Sequence, residues 1–297
     1  MSERIILLRL FGVSILWGFN YVAGAYLLRD FSPIFLSYSR LFLISIFLVS
    51  VACISKKIKR PTRRELLLLL FAGIFGTLLN QTFYFTGLQG STAGNAALII
   101  ALSPIATILL ARIFLGESIT LFKLLGAVMA LVGICFIVLF GGASIGISKG
   151  NVYLLLAMFS LSVSLLFIRK LSVTMSSYDI TILGTVIGTL LMTPAAVVEA
   201  VKGLTQTSTH IWMWIILVCT AIFGQGLAAF WWNQGISAVG ASTSSMFMNI
   251  SPFVAIVLSF LLLGDSIQIA QIAGGTLILS GVALANRKLK TPVTTAA

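Results

Sequence analysis

Few side chains in this sequence of 297 residues could do chemistry, and those that could stand inside otherwise apolar runs. Trp17, Asn20 and Tyr21 lie three and four positions apart, about 12 residues into a run of about 24, so an indole, a carboxamide and a phenol share one face of a helix near its middle. In the third apolar run Gly73, Gly76 or Thr77, Asn80, Tyr84 and Gly87 recur at spacings of three and four, with Gln81 beside them. The eighth run repeats the stripe with Ala221, Gly224, Gln225, Ala228, Trp232 and Gly235. Asn95 and Asn249 stand on the fourth and ninth runs, close to Ser103-Pro104 and Ser251-Pro252. Amides and aromatics stack on apolar solutes and hydrogen-bond polar ones, which is the chemistry of binding rather than of bond cleavage. Each feature also has a packing reading. Small residues at helical spacing let helices approach closely, and Trp and Tyr favour the membrane interface. Either proline bends its helix and frees a carbonyl one turn earlier, near Ile100 and Met248, as a fixed kink or as a hinge.

Catalytic chemistry finds little support. His210 is the only histidine, no GxxxxGK[ST] loop is present, and Cys53, Cys135 and Cys219 lie singly with no metal-ligand spacing. Neither a metal nor a cofactor is implied. Tyr178-Asp179 and Gly264-Asp265 resemble the paired motifs of an intramembrane aspartyl protease, but the topology below puts them on opposite faces, where they cannot share a proton. Glu117-Ser118 and Asp265-Ser266 are read instead as caps of the helices that follow.

The elements that carry these residues are membrane spans. Apolar residues make up 59% of the chain and charged ones 9%. Apolar runs of about 20 residues recur as a helix crossing hydrocarbon requires, and their continuity excludes a β-barrel. Ten spans are expected, near 5 to 28, 33 to 54, 65 to 86, 92 to 114, 119 to 140, 151 to 171, 178 to 201, 211 to 232, 242 to 263 and 267 to 286. With the N-terminus in the cytoplasm, 15 Lys and Arg fall in cytoplasmic segments, three (Arg29, Lys149, Lys202) fall outside, and Arg40 lies within a span. Both termini are therefore expected in the cytoplasm of a multi-pass plasma membrane protein whose first span is not a cleaved signal. The net charge of +12 is mostly this topogenic bias, since KKIKRPTRR is too short to be a nucleic-acid-binding domain.

Arg40 has no acidic residue at comparable depth in the sequence. Its guanidinium has three outlets: toward Asp30, to backbone carbonyls, or to an anionic group of a substrate.

Residues 74 to 133 reappear 148 positions later at 222 to 281. Gly87 falls on Gly235, Pro104 on Pro252, the stretch LGESI on LGDSI, and Gly126 and Gly133 on Gly274 and Gly281. Five spans per copy is an odd number, so the second copy enters the membrane upside down. The expected organisation is all-α, with residues 1 to 145 and 146 to 290 as two inverted five-helix repeats and a cytoplasmic tail at 291 to 297. Inverted halves rocking about a midplane site are a common build of secondary transporters.

WGFNYVAGAYL in the first span, an arginine in the second, GLQGSTAGNAALIIALSPIATILLARIFLGE and the later SPFVAIVLSFLLLGDSI together resemble the drug/metabolite transporter superfamily in its ten-helix EamA-type branch. The resemblance spans residues 5 to 286. It implies a secondary carrier, commonly an exporter of amino acids or related metabolites, with a cavity lined by the first, third, fourth, sixth, eighth and ninth spans. The expected substrate-binding residues are Trp17, Asn20, Tyr21, Asn80, Gln81, Tyr84, Asn95, Gln225, Trp232 and Asn249, with Pro104 and Pro252 as hinges. The related small multidrug resistance pumps depend on a glutamate in the first span. Ser14, Trp17, Asn20 and Tyr21 occupy the middle of that span here, which disfavours antiport of cationic drugs. The expected partners are a small-molecule substrate and the lipid bilayer, with no obligate protein partner. A channel and a non-transporting membrane protein are the alternatives.

Overall fold

The computed structural model describes residues 3–55, 60–115, 121–140, 148–229, 231–232, 234–235, 247–248 and 250–285, and among them every regular element is a helix. Six helices are long and apolar enough to cross a bilayer, and four shorter apolar helices complete the set. In chain order they are α1 Glu3–Leu27, α2 Pro33–Ser55, α3 Arg63–Gln89 and α4 Ala93–Phe114. Then come α5 Leu121–Phe140, α6 Lys149–Leu171, α7 Ser177–Val201, α8 Ile211–Leu227 and α9 Ile250–Leu263, and α10 Ile269–Ala285. Helical residues continue past α8 as far as Gly235. The chain is thus an all-α multi-pass membrane protein, with apolar side chains such as Leu8, Ile113, Leu131 and Phe260 on its exterior, where lipid is the solvent.

Local sequence sets the helix starts. Thr62 and Glu65 close a capping box at α3, Glu65 accepting from the Thr62 amide at 2.7 Å and Thr62 from the Glu65 amide at 3.3 Å. Thr92 and Ser176 cap α4 and α7 by the side-chain half of that pattern alone, accepting from the amides of Asn95 and Asp179. The acid at the ninth-to-tenth junction behaves otherwise. Gly264 ends α9 in the left-handed conformation at φ 75°, and α10 starts only at Ile269, so Asp265 does not cap it. Its carboxylate turns back and accepts from Ser259 on α9. Glu117-Ser118 lies outside the described residues.

Glycines govern the tightest helix crossings. Methyl groups on Gly133 and on Gly274 would each sit 2.5 Å from the other glycine's carbonyl oxygen, and one on Gly281 would sit 2.5 Å from the Gly126 carbonyl. Lower positions on α5 meet higher ones on α10, so the two helices run antiparallel with their backbones in contact. Gly87 on α3 and Gly90 just after its end approach Gly150 and Leu154 on α6 as closely. The core lies where these pairs converge, around Phe31, Phe85, Leu98, Ile99 and Leu154.

Three helices depart from α geometry with no signal in their residue types. Ile74–Leu79 in α3 and Thr220–Leu227 in α8 are wound as π-helix, and α9 ends in a further π turn at Ser259–Leu263. The first two overlap when the chain is shifted by its 148-residue repeat. Each π turn carries an extra residue and rotates the side chains beyond it. In α3 the rotated residues begin with Asn80 and Gln81.

Candidate functional site: a polar and aromatic cavity within the helices

The polar residues of α1, α3 and α8 converge on one cavity of about 150 Å³. Trp17, Asn20 and Tyr21 enter from α1, Arg40 from α2, Asn80, Gln81, Tyr84 and Phe85 from α3, and Gln225 from α8. Ile100 of α4 and Leu161 of α6 complete the lining. Ile100 is the residue whose carbonyl Pro104 cannot satisfy, and α4 breaks at Ala101 and Leu102 just before Ser103-Pro104.

Aromatic contacts fix the walls. Trp17 lies 5.2 Å from Trp232, centroid to centroid, with a tilt of 50°. Tyr21 and Tyr84 meet edge to face at 6.1 Å, and Tyr84 packs against Phe85 at 4.9 Å. Trp232 therefore backs Trp17 without itself lining the cavity. Asn80 donates to the carbonyl of Ala157 on α6 at 2.8 Å, which leaves its side-chain oxygen for the cavity.

Arg40 is 2% exposed and lines this cavity. One Nη donates to the side-chain oxygen of Asn20, and the guanidinium carbon sits 5.6 Å from the centre of the Phe85 ring. Its Nε has no partner. Asp30 instead accepts from Ser208 at 2.6 Å.

The remaining sequence candidates lie elsewhere. Asn95 accepts from Gln271 of α10 at 2.8 Å, and the same Gln271 amide reaches Thr92 at 3.1 Å, tying the start of α4 to α10. Pro252 is buried within the continuous first turns of α9. Asn249 lies outside the described residues. The glycine stripe of α3 does not line this cavity: Gly73 faces Ile187 and Leu191 of α7, and Gly76 faces Ser164 of α6. On α8, Gly224 backs directly onto Asn20.

Sequence reading missed two arrangements. Ser14 on α1 donates to Leu10 one turn back and to the carbonyl of Phe247 at 2.6 Å. Ser162 on α6, 148 positions later, donates to Met158 one turn back and to the carbonyl of Ser103 at 3.1 Å. The carbonyls so held lie one residue ahead of Pro104 and five residues ahead of Pro252, and the equal repeat positions of the two serines were the available signal. A second cavity of about 260 Å³ lies between α3, α6 and α7, lined by Gly73, Gly76, Thr77, Thr181, Gly184 and Thr185 among others, and it shares Leu161 with the first.

The family model for EamA-like transporters matches residues 4–139 and again 148–287. The chain belongs to the EamA-like transporter family. It is 27% identical over 297 residues to a Bacillus subtilis protein named uncharacterized transporter YyaM, spanning 98% of this chain and 97% of that one. A probable terminal-alkyne amino-acid exporter of Streptantibioticus cattleyicolor is 27% identical over 255 residues, with 85% of this chain and 84% of that one covered. An S-adenosylmethionine/S-adenosylhomocysteine transporter of Chlamydia muridarum is 24% identical over 270 residues, covering 84% and 82%. A solved crystal structure matches with a TM-score of 0.63 at 20% identity, over 96% of this chain and 97% of its own. By family, then, this membrane protein is a transporter.

Proposed function

We propose that this EamA-like protein is a secondary transporter that exports or exchanges small organic metabolites such as amino acids by alternating access. The observation that carries this reading is the meeting of Trp17, Asn20, Tyr21, Asn80, Gln81, Tyr84 and Gln225 around one cavity between helices. Polar groups buried in hydrocarbon are costly, and here they converge on a space a solute can occupy. The cavity is smaller than the roughly 300 Å³ at the low end of drug-sized sites, which favours a compact solute. The relatives named for amino-acid and S-adenosylmethionine transport favour a small organic metabolite, and the first of them a compact one.

The two ends of the helix set differ in the way alternating access requires. With both termini in the cytoplasm, the turn after α1 and the segment after α7 share the outer face. There Ser32 donates its amide to Gln206 at 3.1 Å, the Gln206 amide returns to the Ser32 hydroxyl at 3.3 Å, and Ser208 bonds Asp30. Phe31, Phe35 and Trp214 interlock beneath them. The second cavity is lined near the opposite ends of its helices, by Leu69 of α3, Ile168 of α6 and Ile180 of α7 among others, the end expected in the cytoplasm. Gly76, Gly184 and Thr185 are part-exposed along it, while their repeat equivalents Gly224, Leu36 and Ser37 are buried on the outer side. This asymmetry supports a state closed outside and accessible from the cytoplasm, with residues 1 to 145 and 146 to 290 as the inverted halves.

The test is reconstitution in liposomes with a panel of radiolabelled amino acids and related metabolites. Saturable uptake and counterflow of at least one solute is expected. Flux that saturates with none of them, or ion currents at channel rates, would overturn the carrier reading.

A further inference from the structure

A buried guanidinium with no carboxylate beside it is an unmet electrostatic demand inside the membrane. Arg40 is that group, and the acids of the chain are engaged elsewhere. Asp30 holds Ser208, Glu65 caps α3, Asp179 bonds Ser176, Asp265 bonds Ser259, and Glu199 lies against Ser32 and the first amides of α2. The side chains of Glu3 and Glu117 are outside the described residues, and among the described residues no acid lines the cavity.

What Arg40 does have is weak and incomplete. Asn20 offers one neutral amide oxygen, Phe85 offers a ring face, and Nε is unsatisfied. A charge held this way at 2% exposure retains most of its need for an anion. The cavity is the side from which an anion can come, and a planar guanidinium takes a carboxylate through two parallel hydrogen bonds. The neighbouring groups suit the rest of such a molecule. Tyr21 and Tyr84 bring hydroxyls and ring edges, Trp17 a broad apolar face, and Gln81 and Gln225 amides that bond either way.

We propose that Arg40 is the substrate's anion anchor: this transporter selects small solutes that carry a carboxylate, as free acids or zwitterions, and rejects their amides and decarboxylated amines. The proposal rests on the transport reading above and adds the substrate's charge to it. Asn20, by holding the fork, is a positioning residue.

The experiment compares metabolites released by cells overproducing the wild-type protein, Arg40→Gln or Asn20→Asp. Membrane abundance and monodispersity of each protein are measured in parallel. Asn20→Asp is the sharper variant, because a carboxylate at that position pairs with Arg40 internally, satisfies the buried charge and fills the anion site. Compounds released by the wild type are expected to bear a carboxylate, and both variants should lower their release about tenfold or more while remaining folded. In liposomes carrying the wild type, the carboxamide of a released compound should compete about tenfold or more weakly than the acid.

If the released compounds lack an anionic group, the anchor is disproved while transport stands. It is equally disproved if Asn20→Asp or Arg40→Gln exports an anionic compound at the wild-type rate. Equal competition by acid and amide disproves it independently of whether either variant folds. No release above control cells removes the transport reading and the anchor with it.

Discussion

Thr189 donates a hydrogen bond from its hydroxyl to the backbone carbonyl of Leu41 at 3.3 Å, and the two residues stand 148 positions apart. That separation is the length of the sequence repeat, so each residue touches its own counterpart. Contact between equivalent positions is what a two-fold axis produces, as in an isologous dimer interface. The glycine pairs of α5 and α10 obey the same rule, since Gly133 meets Gly274 and Gly126 meets Gly281, a crosswise exchange of equivalents. Both support two inverted halves related by an axis through α2 and α7 and through α5 and α10.

The α5 and α10 contact is the easier of the two to break. Replacing Gly133 or Gly274 by leucine drives a side chain into a carbonyl that a methyl group would already meet at 2.5 Å. Overpacking of this kind costs about 1 to 3 kcal/mol or more. The melting temperature of the detergent-solubilised protein should fall for either variant. Gly184→Ala is the control, because nothing lies within 4 Å of its added methyl group and alanine favours helix; its melting temperature should hold or rise.

Ser14 and Ser162 each tie a helix turn to a carbonyl ahead of a proline. Alanine at either position removes a buried hydrogen bond worth about 1 kcal/mol and leaves a carbonyl short of a donor. The two sites share no partner, so the losses should add in the double variant. Denaturant or thermal unfolding of the singles and the double measures this. A double variant no less stable than either single would contradict independent clasps.

How much of this was legible in the chain follows from what each feature depends on. Membrane spans and the family were readable because apolar length and repeat spacing are local properties. The convergence of Trp17, Asn20, Tyr21, Asn80, Gln81, Tyr84 and Gln225 was readable as inward-facing polarity, since hydrocarbon tolerates few other placements. Asn95 has the same polarity, yet it serves a bridge between α4 and α10, because Gln271 offers a partner from a helix distant in sequence. The π turns at Ile74–Leu79 and Thr220–Leu227 were not legible, because residue type carries no mark of them. Asp265 misled for a similar reason, as its nearest donor is a hydroxyl behind it rather than amides ahead.

Trp17 and Trp232 give the cavity an optical probe. Their rings are 5.2 Å apart, and Trp17 alone lines the cavity. A solute that binds there should change the emission of the wild-type protein in a saturable way, and Trp17→Phe should lose most of that signal while keeping a ring in the wall. Trp17→Ala removes the wall itself and should weaken apparent affinity by about tenfold, in line with the loss of one aromatic contact of about 1 to 3 kcal/mol at a binding site. Trp212, which is 71% exposed on the exterior, is the control whose replacement by phenylalanine should leave both signal and affinity unchanged.

The closure proposed for the outer face makes the most direct test of alternating access. Ser32 and Gln206 exchange hydrogen bonds across two segments that must separate if the cavity is to open outward. Backbone contact of this kind brings the two residues within the reach of a disulfide. In a protein whose Cys53, Cys135 and Cys219 are replaced by serine or alanine, Ser32→Cys with Gln206→Cys should crosslink on mild oxidation. Transport should then fall about tenfold or more, and reductant should restore it, because a locked outer face traps one end of the cycle. Binding from the cytoplasmic side, read by Trp17 fluorescence, should survive the lock. Full transport in the crosslinked protein would show that the closure between the α1–α2 turn and the segment after α7 is permanent and that the outward path runs elsewhere.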